Sequence, residues 1–212
     1  MLKAPVPGLV KTRLAQALGT EPACTIYRLM VERVMAEVPA YWRCEVHGAP
    51  SDQLDVLSAW LGPRAVYRPQ PDGDLGTRLI HASSLAFEDG AESVVLLGGD
   101  CPGQDRVFFQ ASEEALATHD LVIGPARDGG YTLLAAKKLH RALFEGIAWS
   151  TARVLEETLD RARALGLRVA LLETLEDVDD AASWERARVA LFPNFQSAAR
   201  SRHEPNRPPL KV

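Results

Sequence analysis

The chain has 212 residues, 47% hydrophobic and 25% charged, with a formal net charge of −4. That length suits one substantial α/β domain with a buried core, and the charge excludes a nucleic-acid binder that relies on bulk basicity. Apolar runs stay well short of the ~20 residues a membrane helix needs, and three widely spaced cysteines (Cys24, Cys44, Cys101) without a CxxC or Cys/His pattern fit a reduced, cytoplasmic protein.

The chain opens on a Pro/Gly loop, Lys3 to Gly8, that runs through Lys11 and Arg13 into a first helix ending at Gly19. Thr20 caps a second helix, with Ile26, Leu29, Met30, Val34 and Val38 at helical spacing. A short strand is expected over Arg43 to His47, a helix over Ser51 to Leu61, and another short strand over Ala65 to Tyr67. The polar loop Pro69 to Gly76 then leads into a helix over Thr77 to Glu88. Ser93 to Leu97 is a continuous apolar run, the pattern of a strand buried on both faces of a parallel sheet. Gln104 to Thr118 reads as a helix, Leu121 to Ile123 and Tyr131 to Ala136 as strands, and Ser150 to Leu165 as a long helix stopped by Gly166. A last strand over Val169 to Leu172 and a closing helix over Asp180 to Leu191 complete the pattern. Alternating strands and helices predict a three-layer α/β/α sandwich over residues 1–192, and the Pro-, Arg- and Ser-rich stretch 193–212 reads as a disordered tail.

In open α/β sheets ligands bind beyond the carboxyl ends of the strands. The apolar run ends in Gly98-Gly99-Asp100-Cys101-Pro102, where the glycines let a ligand approach the backbone and Asp100 presents a carboxylate. Asp100 either holds Mg²⁺ or Mn²⁺, with phosphates and water completing the shell, or caps the helix that follows. Cys101 reads as a small buried residue, since no histidine stands near it in sequence. The next strand runs into Arg127-Asp128-Gly129-Gly130-Tyr131, either a bland turn or a pocket wall facing Asp100. Gln70, Gly73, Asp74, Gly76 and Arg78 lie around a helix start, a natural place for an anion, or form a flexible connector. Trp149 and Ser150 read as an acceptor-side element or as an aromatic ahead of an N-cap. Asp177 to Asp180 offers a second metal oxygen or a solvated cap. In the opening loop, Lys3, Pro7, Gly8, Lys11 and Arg13 gather cations and helix N–H groups, which points to phosphate binding.

Taken in order, KAPVPGLVKTRLAQALG, QPDGDLGTRL, LLGGDCPG, GPARDGGY, IAWST and EDVDD resemble the bacterial GT-A-type glycosyltransferase-like family of the nucleotide-diphospho-sugar transferase superfamily. The family is more distantly similar to molybdenum-cofactor and 2-phospholactate guanylyltransferases. The resemblance implies a GT-A fold with a mixed, mostly parallel central sheet, and Asp100 in the place of the metal aspartate. It implies the Gly8 loop with Lys3, Lys11 and Arg13 on the nucleotide diphosphate, the Gln70–Arg78 segment near the nucleotide, and residues 128–131 near the transferred group. The expected function is transfer from a nucleotide-diphospho-sugar to a small-molecule acceptor with Mg²⁺ or Mn²⁺, Asp100, Asp128, Lys11 and Arg13 serving catalysis. The alternatives are nucleotidylyl transfer from an NTP with release of pyrophosphate, and a catalytically silent nucleotide-binding protein. Members of the family open with an apolar strand before the Lys3 motif, whereas here only Met1 and Leu2 precede it. The expectation is that the true start lies upstream, or that Met1 to Ala4 forms only a stub of that strand.

Overall fold

The structure, a computed structural model, describes residues 1–195. Its elements alternate as the sequence pattern requires. They are β1 (Leu2–Lys3), α1 (Thr12–Leu18), α2 (Thr20–Glu37), β2 (Cys44–Ala49), α3 (Leu54–Leu61), β3 (Ala65–Pro69), α4 (Leu75–Glu88), β4 (Val94–Leu97), α5 (Arg106–Thr118), β5 (Leu121–Pro125), β6 (Tyr131–Ala136), α6 (Val154–Ala164), β7 (Val169–Leu171) and α7 (Ala181–Leu191). Three helix starts follow capping chemistry: Asp74, Asp105 and Asp180 each accept from the backbone N–H three residues on. Asp105 caps α5, so the cap role considered for Asp100 is filled by another residue. Of the stretch 193–212, residues 196–212 lie outside the described residues, and Phe195 packs edge-on against Trp184 of α7.

The strands form a parallel sheet in the order β1-β2-β3 and a mixed sheet in the order β4-β6-β5-β7. Parallel pairing holds for β1–β2, β2–β3 and β5–β7, while β6 runs antiparallel to both its neighbours. The alternation of strand side chains defines the layers. Leu121 and Ile123 of β5 and Leu134 and Ala136 of β6 face α4 and α6, with Leu79, Ile80 and Ala162. Val122, Leu133 and Ala135 face the other way, onto Phe108, Phe109 and Leu116 of α5, Val34 of α2 and Val38 just past its end. Helix α2 also packs on β1 and β2 through Tyr27 and Val31, and on α1 and α7 through Ile26 and Met30. One helix therefore ties both sheets together.

Two expectations are corrected. The central sheet is divided: β1 is a two-residue strand, and the two sheets meet there through the Met1 amino group, which donates to the Leu97 carbonyl at 2.8 Å. Beyond that bond the edges of β2 and β4 face each other across a cavity of about 380 Å³ lined by Val31, Val34, Val46, Val95 and Leu97. The apolar run Val94–Leu97 is accordingly not a doubly buried parallel strand. It pairs antiparallel with β6, and all four of its residues are only partly buried, because its other edge opens on the cavity.

Candidate active site

The opening loop is fixed from both ends. Tyr27 of α2 accepts from the Lys3 N–H and donates to the Lys3 carbonyl, both at 3.0 Å. Gly8 turns the loop at φ 84, a left-handed conformation that a side chain disfavours. Lys11 takes the same region, φ 47 and ψ 49, and α1 starts directly after it. Only Lys11 and Ser150 combine a side chain with positive φ among the described residues, and both are site candidates; strain of this kind collects where function over-determines the backbone.

That backbone turns Lys11 inward. Its side chain is 5% exposed, and Nζ lies 3.2 Å from Asp100 Oδ2 and 2.9 Å from Asp179 Oδ1. Burial works against the ammonium, but Asp100 and Asp179 more than offset it and hold its pKa above the ordinary lysine value. Asp100 is carried by the β4 exit loop, and its carbonyl accepts from Val178 N–H at 2.9 Å, so the 177–180 segment is pinned beside it. The same segment is stitched to β5: Leu175 N–H donates to Pro125, and Arg127 N–H to Leu175, both at 3.0 Å. Asp128 follows, its Oδ1 accepting from Gly130 N–H at 2.9 Å to close the turn.

The result is a cluster in which Asp100 and Asp179 hold Lys11, and Asp177 stands within electrostatic reach of Asp100, Asp128, Asp179 and Lys11. Burial and the charges of Asp100 and Asp128 push Asp177 up from 3.8 to about 7, with Lys11 pulling the other way. The sequence left residues 177–180 between a second metal oxygen and a solvated cap, and did not single out Asp177 or Asp179 beside Lys11. Asp180 does cap α7, while Asp179 reaches Lys11 and Asp177 crowds Asp100; the spaced acidic residues of Asp177-Val178-Asp179-Asp180 were the available signal. Cys101 is buried with its thiol pushed up to about 12, which leaves it no role as a nucleophile.

A second group adjoins the first. A Cβ on Gly129 would strike the Ala152 carbonyl, and Gly129's own carbonyl accepts from Leu155 N–H at 2.9 Å, so the 128–131 turn is locked to the start of α6. Tyr131 meets Trp149 edge-on with ring centroids 6.4 Å apart, and a Cβ on Gly76 would lie 2.9 Å from Trp149 Nε1. Trp149 Nε1 is buried with no hydrogen-bond partner among the described residues. Ser150, at φ 63, is no helix cap: α6 starts at Val154, later than the sequence pattern indicated, because a left-handed residue cannot enter a helix.

The remaining candidates are distributed differently. Gln70 spends its amide N–H groups on the carbonyls of Leu2 (3.0 Å) and His47 (2.7 Å), while its Oε1 accepts from Arg78 Nη1 at 3.3 Å. It fastens the ends of β1 and β2 and positions Arg78. Gly99 packs so closely on Leu2 and Val31 that a Cβ would come within 2.7 Å of each. Asp74 caps α4, and Gly73 precedes it in the exposed loop. Lys3, Pro7 and Arg13 are exposed on the rim. Nothing among the described residues forms a ready cluster of three or more metal-ligating side chains, and no helix is long and apolar enough to cross a membrane.

Comparison with known proteins gives this geometry a setting. Over residues 35–151 the chain matches the family described as "uncharacterized protein conserved in bacteria (DUF2064)". Over 125 residues it is 35% identical to the 3-phospho-D-glycerate guanylyltransferase of Phenylobacterium zucineum (strain HLK1), a match covering 58% of this chain and 56% of that protein. It thus spans little more than half the length of this curated relative. A crystal structure from Desulfovibrio desulfuricans G20, of a protein named provisionally as a nucleotide-diphospho-sugar transferase, superposes with a TM-score of 0.83 at 34% identity over 94% of this chain and 89% of that one. The 4-diphosphocytidyl-2C-methyl-D-erythritol synthase of Anaerococcus prevotii DSM 20548 shares the fold alone, with a TM-score of 0.57 at 15% identity over 76% of this chain and 85% of the other. The chain belongs to the bacterial DUF2064 family and has the nucleotide-diphospho-sugar transferase-like α/β fold.

Proposed function

We propose that the protein is a nucleotidylyltransferase: an oxygen of a small phosphorylated acceptor attacks the α-phosphorus of an NTP, the α–β phosphoanhydride bond breaks, and pyrophosphate leaves. The carrying observation is the strand-end cluster in which Asp100 and Asp179 hold the buried Lys11 ammonium and Asp177 stands close to Asp100 and Asp128. Four carboxylates against one ammonium leave such a cluster short of positive charge, and a cation with a polyphosphate would correct that. The guanylyltransferase relative favours nucleotidylyl transfer and GTP as the first nucleotide to try.

Hard oxygen donors fit Mg²⁺ or Mn²⁺, and Asp100, with Asp177 or Asp179, would hold the ion. When bound, it supplies neutralisation of charge on the phosphates during transfer. The chain's own groups do the rest. Lys11, Arg13 and the N–H groups that open α1 bind the leaving phosphates. Asp128 and the Gly129–Tyr131 turn orient the acceptor against the α-phosphate, and Trp149, with its free indole N–H, closes the acceptor side.

Glycosyl transfer from a nucleotide-diphospho-sugar is the second reading, favoured by the provisional name of the 34%-identical structure. One experiment separates the two. Purified protein is incubated with Mg²⁺ and each NTP plus 3-phospho-D-glycerate and related phosphorylated acids, and in parallel with nucleotide sugars. Acceptor-dependent pyrophosphate release is expected; nucleoside diphosphate release from a sugar donor, with no pyrophosphate from any NTP, would replace this reading with glycosyl transfer.

A further inference from the structure

Lys11 is placed awkwardly for a residue that binds phosphate. Its ammonium is buried between Asp100 and Asp179, and its backbone is held in a left-handed conformation that keeps it there. A phosphate cannot be met by this ammonium unless it leaves the carboxylates. Equally, an ammonium 3.2 Å from Oδ2 repels a divalent cation approaching Asp100, a repulsion that the carboxylate's half-exposed position weakens but does not remove. The two tasks assigned to these residues compete in the arrangement observed.

We propose that Lys11 is an internal counter-ion for the carboxylates: in the nucleotide-free protein its ammonium holds the place between Asp100 and Asp179, and it yields that place when a divalent cation is taken up and turns to the phosphates. This rests on the divalent-cation part of the function proposed above and adds an order to it. Asp100 and Asp179 are kept neutralised until nucleotide arrives, so cation and nucleotide are taken up together and the cation alone binds poorly. The neighbouring Asp128 and Asp177 make the lysine necessary, since without it like charges would crowd one another in a partly dry site.

The test is Mn²⁺ binding to the full chain with and without GTP, measured by the loss of the free-ion paramagnetic resonance signal beyond the loss that the same GTP concentration causes without protein. Lys11→Gly removes the ammonium and suits φ 47, while Lys11→Met keeps the bulk of the side chain; circular dichroism confirms folding of each. The wild type should bind Mn²⁺ weakly without GTP and far better with it. Both variants should bind Mn²⁺ without GTP about tenfold or more tightly than the wild type, and should lose most of the gain that GTP gives. Unchanged or weaker nucleotide-free Mn²⁺ binding in both variants, with the wild type still binding Mn²⁺ in the presence of GTP, overturns the counter-ion role and leaves the proposed function standing. Absence of Mn²⁺ binding in every protein, with and without GTP, overturns both.

Discussion

The cavity between β2 and β4 and the acidic cluster beyond β4 adjoin along the chain, the first lined as far as Gly99 and the second starting at Asp100, and are opposites. The cavity has volume and no chemistry. It is walled mostly by aliphatic side chains, and its charged rim is largely paired: Arg43 with Glu45 and Asp89, His47 Nε2 with Glu45, and Glu113 accepts from Tyr41 and Trp42, while His47 Nδ1 is buried without a partner among the described residues. The cluster has chemistry. There Lys11 serves Asp100 and Asp179, while Asp177 and Asp128 are left to repel their neighbours. Size and apolarity are the usual guides to a ligand site, and here they point away from the proposed one. Uncompensated charge at the strand ends is the better marker.

The sharpest way to break this contrast is Asp100→Asn. It removes a charge from the cluster while leaving the shape almost unchanged, so pyrophosphate release should fall by about a thousandfold, the scale of losing a key electrostatic group. Stability should move by no more than about 1 kcal/mol, because relief of repulsion offsets the weakened tie to Lys11. A variant that turns over at near the wild-type rate would remove Asp100 from the site.

Charge imbalance also predicts a pH dependence. With its folded pKa raised to about 7 from 3.8, Asp177 holds its proton in the folded chain over a range where the unfolded chain has released it. The unfolded state then binds fewer protons, and stability falls as pH rises from about 4 to about 7, by at most about 4 kcal/mol, and levels off above. Asp177→Asn should therefore be more stable than the wild type at pH 8 and equal to it near pH 4. Urea midpoints measured in EDTA across that range check this; a gap that widens toward low pH would mean that Asp177 is stabilised as the anion.

Across the β4–β6 ladder the comparison becomes a pair of leucines in register, Leu97 and Leu133. Leu133 is fully buried against α5, whereas Leu97 lines the cavity and is partly exposed. Leu133→Ala should cost about 3 kcal/mol, and Leu97→Ala about 1 kcal/mol, because the second loses fewer contacts and less burial. Equal losses in urea denaturation would show that the cavity is closed in solution.

The elements themselves were legible because their signals are local. Gly19 and Gly62 end helices, Asp74, Asp105 and Asp180 start them, and the apolar spacing of α2 and α5 fixes their inner faces. The division of the sheet was not legible, since Val94–Leu97 reads the same whether its second edge is paired or open. The lysine and the strand-end aspartate were visible as residue types in loops. That Asp177 and Asp179 join them depends on the pairing of residues 175–178 with the exits of β4 and β5, a contact between distant stretches that leaves no periodic trace.

That long-range stitching leads to a further effect, at Gly129. Its φ of 90 disfavours any side chain, and a methyl group there would meet the Ala152 carbonyl, so the turn and the start of α6 could not both keep their places. Gly129→Ala should cost about 1–2 kcal/mol of stability. Its effect on the reaction should be selective. Asp128 shifts with the turn, so the acceptor's KM should rise, while nucleotide binding through Lys11 and the α1 loop should be unchanged. An equal loss of nucleotide affinity would place the turn on the nucleotide side and exchange the two halves of the proposed site.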